Sequence, residues 1–227
     1  MRILLLGVMA VLSSVVVNCQ NKKDASSPSI ESRDLSMSLE PKDDEEVLTL
    51  AGGCFWCTEE VYERIKDVNR VISGYAGGET QDPTYESVMT GETGHAEAVQ
   101  IYYDPDKISF ETLLEVFFLS AHDPTQVNRQ GNDIGTQYRS IVFYRTAAEE
   151  KIIRDYIEEL DESGRFDKDI ATEVKPFEVF YPAEEFHQNY YPRNQDNPYI
   201  QKVSRPIVEK FEDMFPELTS DTVKSRK

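Results

Sequence analysis

Cysteine, positive charge and long apolar runs are all scarce in this 227-residue sequence, and each scarcity removes a class of function. Three cysteines, Cys19, Cys54 and Cys57, are too few for a disulfide scaffold and too few for a closed four-thiolate zinc site. Lys and Arg number 24 against 42 Asp and Glu, and the resulting formal charge of −18 repels phosphate, so nucleic acid is not an expected partner. The longest apolar stretch, Ile3 to Val17, has 15 residues, short of the roughly 20 that a helix needs to span a bilayer. What the sequence does hold is core-forming material. Hydrophobic residues make up 39% of it, with 12 Tyr and 11 Phe, which is enough for one domain with a sizeable core.

The two ends read as separate from that domain. Met1-Arg2 ahead of the apolar stretch has the form of a secretory signal, which is processed rather than folded. Its end, Val16-Val17-Asn18-Cys19, resembles the lipobox of bacterial lipoproteins, with Asn18 standing where Gly, Ala or Ser is usual. An ordinary secretory signal and an uncleaved anchor are the alternatives. The lipobox reading makes residues 1–18 a signal peptide and Cys19 the lipidation site. It places the chain outside the cytoplasm as a membrane-anchored lipoprotein, periplasmic or at the cell surface. Residues 19–45 are poor in large apolar side chains and end in Lys42-Asp43-Asp44-Glu45-Glu46, the composition of a solvated tether. The folded domain is expected over residues 46–216, and residues 217–227 read as a C-terminal tail, frayed from Thr219.

Inside those limits helical and strand periods alternate, which argues for mixed helix and sheet in one unit. Strands are expected at Glu46 to Ala51, Val71 to Tyr75, Ala96 to Tyr103 and Ser140 to Tyr144, with one or two more between Glu173 and Tyr181. A helix is expected from Cys54 to Ile65, a single turn at Tyr85 to Met89, and a helix capped by Ser109 running to about Ser120. A longer one, capped by Thr146, covers Ala147 to Leu160, and another lies near Val208. The polar stretch Asp123 to Gly135 is too long for a plain turn and is a candidate for binding or catalytic residues.

Chemistry concentrates at Gly52-Gly53-Cys54-Phe55-Trp56-Cys57. A cysteine in the first turn of a helix has its thiolate favoured by the dipole and by unpaired backbone N–H groups. Cys57, three residues on, lies on the same face, so the pair reads as a reactive dithiol. Two small buried hydrophobes, or half of a zinc site, are the competing readings. The histidines His95, His122 and His187 have no metal-ligand spacing; His95 and His122 read as hydrogen-bonding scaffold, and the role of His187 stays open. No metal is expected.

Several motifs occur in order: Gly53-Cys54-Phe55-Trp56, Gly74-Tyr75-Ala76-Gly77-Gly78, Pro83-Thr84-Tyr85, Gly94-His95-Ala96-Glu97-Ala98-Val99, His122-Asp123-Pro124, and Arg129 through Ser140. Together they resemble the A-type peptide methionine sulfoxide reductases, the family that reduces the S epimer of methionine sulfoxide. A later segment, Phe180 through Gln188, resembles that family's aromatic, acidic and His-Gln stretch. The resemblance implies an α+β fold, a two-layer α/β sandwich with a mixed sheet, a ferredoxin-like core and long loop regions.

It also implies roles. Cys54 matches the nucleophile, Phe55 and Trp56 the pocket for the substrate methyl, and Tyr85, Glu97, Asp133 and Tyr138 the polar groups around the sulfoxide oxygen. Those roles are chemically reasonable, because a thiolate attacks a sulfoxide sulfur only when the oxygen is protonated or strongly hydrogen-bonded. A buried Glu97 could supply the proton. Expulsion of methionine would leave Cys54 as a sulfenic acid, which condenses with a nearby thiol. Cys57 stands where the commoner motif has Gly, and no cysteine follows it, so the resemblance implies a Cys54–Cys57 disulfide. A thioredoxin-like protein or another thiol would then act as external reductant, with no other cofactor. The expected partners are oxidised proteins, that reductant and, through Cys19, a membrane; the chain is expected to be a monomer. A general Cys-X-X-Cys thiol-disulfide oxidoreductase and a non-catalytic acidic surface lipoprotein are the alternative functions.

Overall fold

The structure, a computed structural model, describes residues 38–220. The signal segment, Cys19 and the tether as far as residue 37 lie outside the described residues, as do residues 221–227. Among the described residues no helix is long and apolar enough to cross a membrane.

Strand β1 (Glu46–Ala51) leads through Gly52-Gly53 into helix α1 (Phe55–Glu63) and on to β2 (Val68–Ala76). The short α2 (Tyr85–Met89) follows, then β3 (Ala96–Tyr103) and α3 (Phe110–Val116). A two-strand hairpin, β4 (Arg129–Gln130) with β5 (Asp133–Ile134), precedes β6 (Ile141–Tyr144). Helix α4 (Ala147–Glu162), β7 (Glu173–Pro176), β8 (Phe180–Pro182), α5 (Tyr190–Arg193) and α6 (Arg205–Met214) complete the order. The main sheet has six strands in the order β7-β6-β1-β3-β2-β8, antiparallel except for the β6·β7 pair. Its inner strands run β6-β1-β3-β2, with α1 crossing from β1 to β2 and α3 lying between β3 and β6. That is the ferredoxin-like split β-α-β arrangement within an α+β fold.

Local chemistry sets the helix starts. Ser109 caps α3 by accepting from the Thr112 N–H at 3.1 Å. Thr146 and Glu149 form a reciprocal capping box at α4, each side chain accepting from the other's backbone N–H. A cap of this kind contributes about 1 kcal/mol. Helix α3 continues as a π-turn, Phe117–Ala121, whose widened pitch carries Phe117 and Phe118 into the core and ends at His122.

All eight residues of β3 are buried, because both faces of the sheet are covered. One face carries Leu48, Leu50, Val71, Val99 and Ile101 against the helices. The other carries Ile72, Ala98, Tyr102 and Phe143, with Leu39, Val47 and Phe177 packed onto them.

The domain extends further at both ends than its composition suggests. Residues from Ser38 are laid against the sheet: the Leu39 carbonyl accepts from the Tyr102 hydroxyl at 2.8 Å, and the Arg70 guanidinium donates to the carbonyls of Ser38 and Glu40. The same guanidinium stacks 3.7 Å from the Tyr102 ring centroid. Glu45 is buried beside Asn69 and Arg70, so the expected tether is already part of the fold by residue 38. At the other end Leu218 and Ser220 pair by backbone with Lys66 and Arg64, and Thr219 is buried. The expected fraying from Thr219 is therefore corrected at Thr219 and Ser220. The loop Asp123 to Gly135 contains the β4–β5 hairpin, and the region after Tyr190 is more helical than its irregular pattern suggests.

Candidate active site

The turn between β1 and α1 delivers Cys54 as the N-cap of α1, with Phe55, Trp56 and Cys57 in the first turn. Gly53 makes that delivery possible. Its φ is +81°, and a Cβ there would lie 2.6 Å from Cγ of Gln130, which packs on the turn from the β4–β5 hairpin. Gln130 is held in turn by the backbone of Asp123, donating to its carbonyl and accepting from its N–H.

The structure draws the separately predicted residues into one neighbourhood. Glu97, on β3 and 2% exposed, accepts the Phe55 backbone N–H at 2.9 Å. Burial, then the proximity of Cys54, pushes its carboxyl well above the ordinary carboxylate range, which favours its protonated form. Tyr85, the first residue of α2, has its hydroxyl raised to about 12 by burial and by the charges of Glu97, Cys54 and Asp133. Tyr138 is raised too, by burial and then by Glu97, Tyr85, Asp133 and Cys54. Two hydroxyls that keep their protons thus face the same space as the carboxyl and the thiol. The Tyr138 hydroxyl rests on the thioether of Met89 at 3.4 Å, and Tyr85 is positioned through its backbone N–H, which donates to Glu184 at 2.9 Å.

Cys54 departs from expectation. It is 8% exposed, and burial, reinforced by the neighbouring Cys57, pushes its thiol well above the ordinary range. The Trp56 N–H and the Tyr199 hydroxyl pull the other way, but burial outweighs them and favours the thiol. Cys57 donates to Ser204 Oγ at 3.1 Å and lies within hydrogen-bonding reach of Cys54, and both cysteines are free.

Phe55 and Trp56 belong to an aromatic wall. The Trp56 indole stacks on Tyr190 at 3.8 Å and 10° and donates to Nδ1 of His187 at 3.1 Å. His187 lies 5.1 Å from the Phe55 ring and 4.4 Å from the Tyr85 ring. Burial holds His187 near pKa 4, hence neutral. His122 is neutral for the same reason, also near 4. Its Nδ1–H donates to the Phe117 carbonyl, leaving Nε2 to accept from Ser140. His95 bridges Gly78 N–H and the Thr80 carbonyl. His95 and His122 thus have the scaffold roles that the sequence suggests, and His187, left open by the sequence, orients an aromatic wall residue.

Tyr199 is the residue that sequence reading misses. Its hydroxyl donates to the Asp133 carboxylate and lies within reach of Cys54. Asp133 is therefore tied to Tyr199. The signal for Tyr199 was the turn dipeptide Asn197-Pro198: the Asn197 side chain accepts from the Tyr199 N–H at 2.8 Å and fixes the turn that aims the ring inward. Among the described residues no group of three or more His, Cys, Asp or Glu side chains is arranged to hold a metal.

Comparison with known proteins agrees with this geometry. Residues 46–219 match the family model described as peptide methionine sulfoxide reductase. A peptide methionine sulfoxide reductase MsrA of Natronomonas pharaonis is 52% identical over 169 residues, covering 74% of this chain and 94% of that protein. The MsrA of Saccharolobus solfataricus is 52% identical over 172 residues, covering 76% and 96%. Among solved structures, the reduced form of Mxr1 from Saccharomyces cerevisiae superposes with a TM-score of 0.65 at 36% identity, covering 70% of this chain and 91% of that one. Methionine sulfoxide reductase A of Corynebacterium diphtheriae gives 0.60 at 34% identity, with coverage of 72% and 82%.

Proposed function

Since the chain belongs to the peptide methionine sulfoxide reductase family, we propose that it reduces methionine S-sulfoxide, in proteins or free, to methionine, with Cys54 as nucleophile and Glu97 as proton donor. The observation that carries this reading is the buried Glu97 carboxyl, anchored on the Phe55 N–H beside the Cys54 thiol. A sulfoxide oxygen placed against Glu97, Tyr85 and Tyr138 receives hydrogen bonds that strengthen as the S–O bond weakens, and its sulfur then faces Cys54. Phe55 and Trp56 supply an apolar wall for the methyl group, which a charged or bulky substituent would not match.

The thiol sulfur of Cys54 bonds to the sulfoxide sulfur as Glu97 passes its proton to the oxygen, and the proton leaving Cys54 restores the carboxyl. Transfer of the hydroxyl group from that sulfur to the Cys54 sulfur, with cleavage of the new S–S bond and of the S–O bond, then yields Cys54 sulfenic acid and methionine. The thiol is oxidised by two electrons and the sulfoxide is reduced by two. Cys57 attacks the sulfenic sulfur, water leaves, and a Cys54–Cys57 disulfide remains for a thioredoxin-like dithiol to reduce. No further cofactor enters the cycle.

The residues before 38 add a proposal of their own: a signal peptide over 1–18, lipid attachment at Cys19 and a tether, giving a monomeric enzyme anchored outside the cytoplasm. Single-turnover incubation with the separate S and R epimers of a peptide methionine sulfoxide, followed by disulfide mapping, tests the catalytic reading. Methionine from the S epimer alone, with a Cys54–Cys57 bridge, is the expected result. Failure to reduce either epimer while exchanging disulfides efficiently would reassign the chain to general thiol-disulfide chemistry.

A further inference from the structure

Helix α2 holds both phenols of the site, Tyr85 directly and Tyr138 through a sulfur atom. Tyr85 and Met89 are its first and last residues and stand one helical turn apart, so they share a face. The start of the helix is fixed by the reciprocal Thr84–Ser87 cap and by the Tyr85 N–H, which donates to Glu184. Its end is stitched to the turn Thr136–Tyr138 by three consecutive side chains. The Thr136 hydroxyl donates to the Gly91 carbonyl at 3.4 Å, the Gln137 amide to the Met89 carbonyl at 3.4 Å, and the Tyr138 hydroxyl to the Met89 thioether at 3.4 Å. Met89 is thus held at its backbone by one residue of the turn and meets the phenol of the next with its side chain. That side chain is half-buried and packed against the core, which limits where its sulfur can go.

We propose that Met89 is the positioning residue for Tyr138: its thioether holds the phenol at rest beside the place of the reacting oxygen, and gives up the hydroxyl proton to a sulfoxide but not to a thioether. The proposal rests on the role given to Tyr138 in the preceding section and adds that the phenol's resting acceptor matters as well as the phenol. A tyrosine hydroxyl has one proton to give, and a thioether is among the weakest acceptors a protein offers. A phenol parked on sulfur therefore has a fixed direction at little cost to its next bond. The acceptors rank in an order that suits the reaction. A sulfoxide oxygen, which carries negative charge, outcompetes the Met89 sulfur and takes the proton. Once the oxygen has been transferred, the product methionine presents only a thioether, no better an acceptor than Met89, and the phenol returns. The pull on Tyr138 is then made on the sulfoxide and its transition state and released with the product. A carboxamide in the place of Met89 would hold the proton against the substrate. An aliphatic side chain would leave the phenol to water.

The test is a double-substitution cycle on the full chain, read in single turnover with a peptide methionine S-sulfoxide. Met89→Leu keeps the volume and removes the acceptor, and Met89→Gln keeps the length and offers a stronger one. The second-order rate constant for methionine formation should fall about fivefold in the first and about tenfold in the second, the scale of one hydrogen bond. Exchange of the dithiol with a small disulfide, which does not use the phenol, should be unchanged in both and shows that the site is intact. In a Tyr138→Phe background neither substitution should lower the rate further, because no phenol proton is left to direct. Equal losses with and without the Tyr138 hydroxyl would make Met89 a packing residue and overturn the proposal, as would a native rate in both Met89 variants. Failure of the underlying reading shows separately and earlier: a native chain that reduces neither epimer removes the function, and a Tyr138→Phe variant that turns over at the native rate removes the role of the phenol, before Met89 is touched.

Discussion

Glu97 holds the backbone N–H of Phe55 through one carboxyl oxygen at 2.9 Å, which fixes an acid from the middle of the sheet against the residue that follows the Cys54 thiol. One hydrogen bond therefore positions the carboxyl relative to the helix start, and the burial that favours its protonated form also favours the Cys54 thiol. The two groups are matched: each would be charged alone only at a cost, and proton exchange between them through a sulfoxide oxygen avoids that cost. Glu97→Gln keeps the bond to Phe55 and loses the proton. The single-turnover rate with methionine S-sulfoxide should fall by about a hundredfold or more, the usual scale for losing a general acid. Exchange of the dithiol with a small disulfide should change little, and an equal loss in both assays would contradict the acid role.

Tyr199 couples Asp133 to the thiol pair: its single hydroxyl proton goes to Asp133 in the resting site, and turned to Cys54 it favours the thiolate. Tyr199→Phe removes that donor, so the Cys54 pKa should rise further. At pH 8, alkylation of Cys54 by iodoacetamide should slow about fivefold to tenfold, about 1 kcal/mol for one hydrogen bond, and the pH profile should move to higher pH. A profile that does not move would show that Tyr199 only fills space.

Much of this site was legible in the sequence, for reasons specific to each residue. The Gly-Gly turn before Cys54 announces a strand-to-helix junction, and both the turn at Tyr85–Met89 and the strand Ala96–Tyr103 have the expected bounds. What was hidden depends on non-local packing. An alternating strand suggests one wet face, but Glu97 shares the face of Val99 and Ile101, which α1 and the other helices cover, while residues near Leu39 and Phe177 cover the opposite face. The covering segment itself is silent in sequence, since Ser38, Leu39 and Glu40 are bound through their carbonyls, which no side-chain pattern encodes. The upward shift of the Cys54 thiol was hidden likewise: a helix start is visible in sequence, but the burial that raises the thiol is not.

Trp56 is the only tryptophan in the chain, and it stacks on Tyr190 while donating to His187. Intrinsic fluorescence therefore reports on the site alone. Tyr190→Leu removes the stacking partner, worth about 1 kcal/mol. The emission should shift to the red, and the KM for methionine sulfoxide should rise about fivefold with kcat largely retained. An unshifted spectrum would mean that the wall stays ordered without Tyr190.

Glu59, on α1 two residues beyond Cys57, is 1% exposed, and burial pushes its carboxyl up to about 8, with Glu63 and Glu60 also opposing its ionisation. In the unfolded chain it titrates in the ordinary carboxylate range, near 4.3. Between that value and about 8 the native state holds a proton that the unfolded state has lost, so stability falls as pH rises through this window and levels off above it. The difference is on the order of a few kcal/mol. In Glu59→Gln the proton is gone and this part of the slope goes with it. Urea midpoints at pH 5.5 and 8.5 should converge in the variant while those of the native chain diverge, and parallel behaviour would show that Glu59 is ionised in the fold.

The Arg70 clasp yields a last expectation, because it decides where the domain begins. Arg70 binds the carbonyls of Ser38 and Glu40, stacks on Tyr102 and pairs with buried Glu45, while the Tyr102 hydroxyl takes the Leu39 carbonyl. Removing residues 1–37 leaves all of this in place, so unfolding should be unaffected. Removing residues 1–45 strands the Arg70 guanidinium and the Tyr102 hydroxyl and uncovers the far face of the sheet behind β3. Two or three lost hydrogen bonds at about 1 kcal/mol each, plus the apolar area of Leu39, imply a loss of about 3 kcal/mol. The same face covers the strand that carries Glu97, so the longer truncation should also lower sulfoxide reduction, the shorter one should not, and equal stability of the two would place the boundary at residue 46 after all.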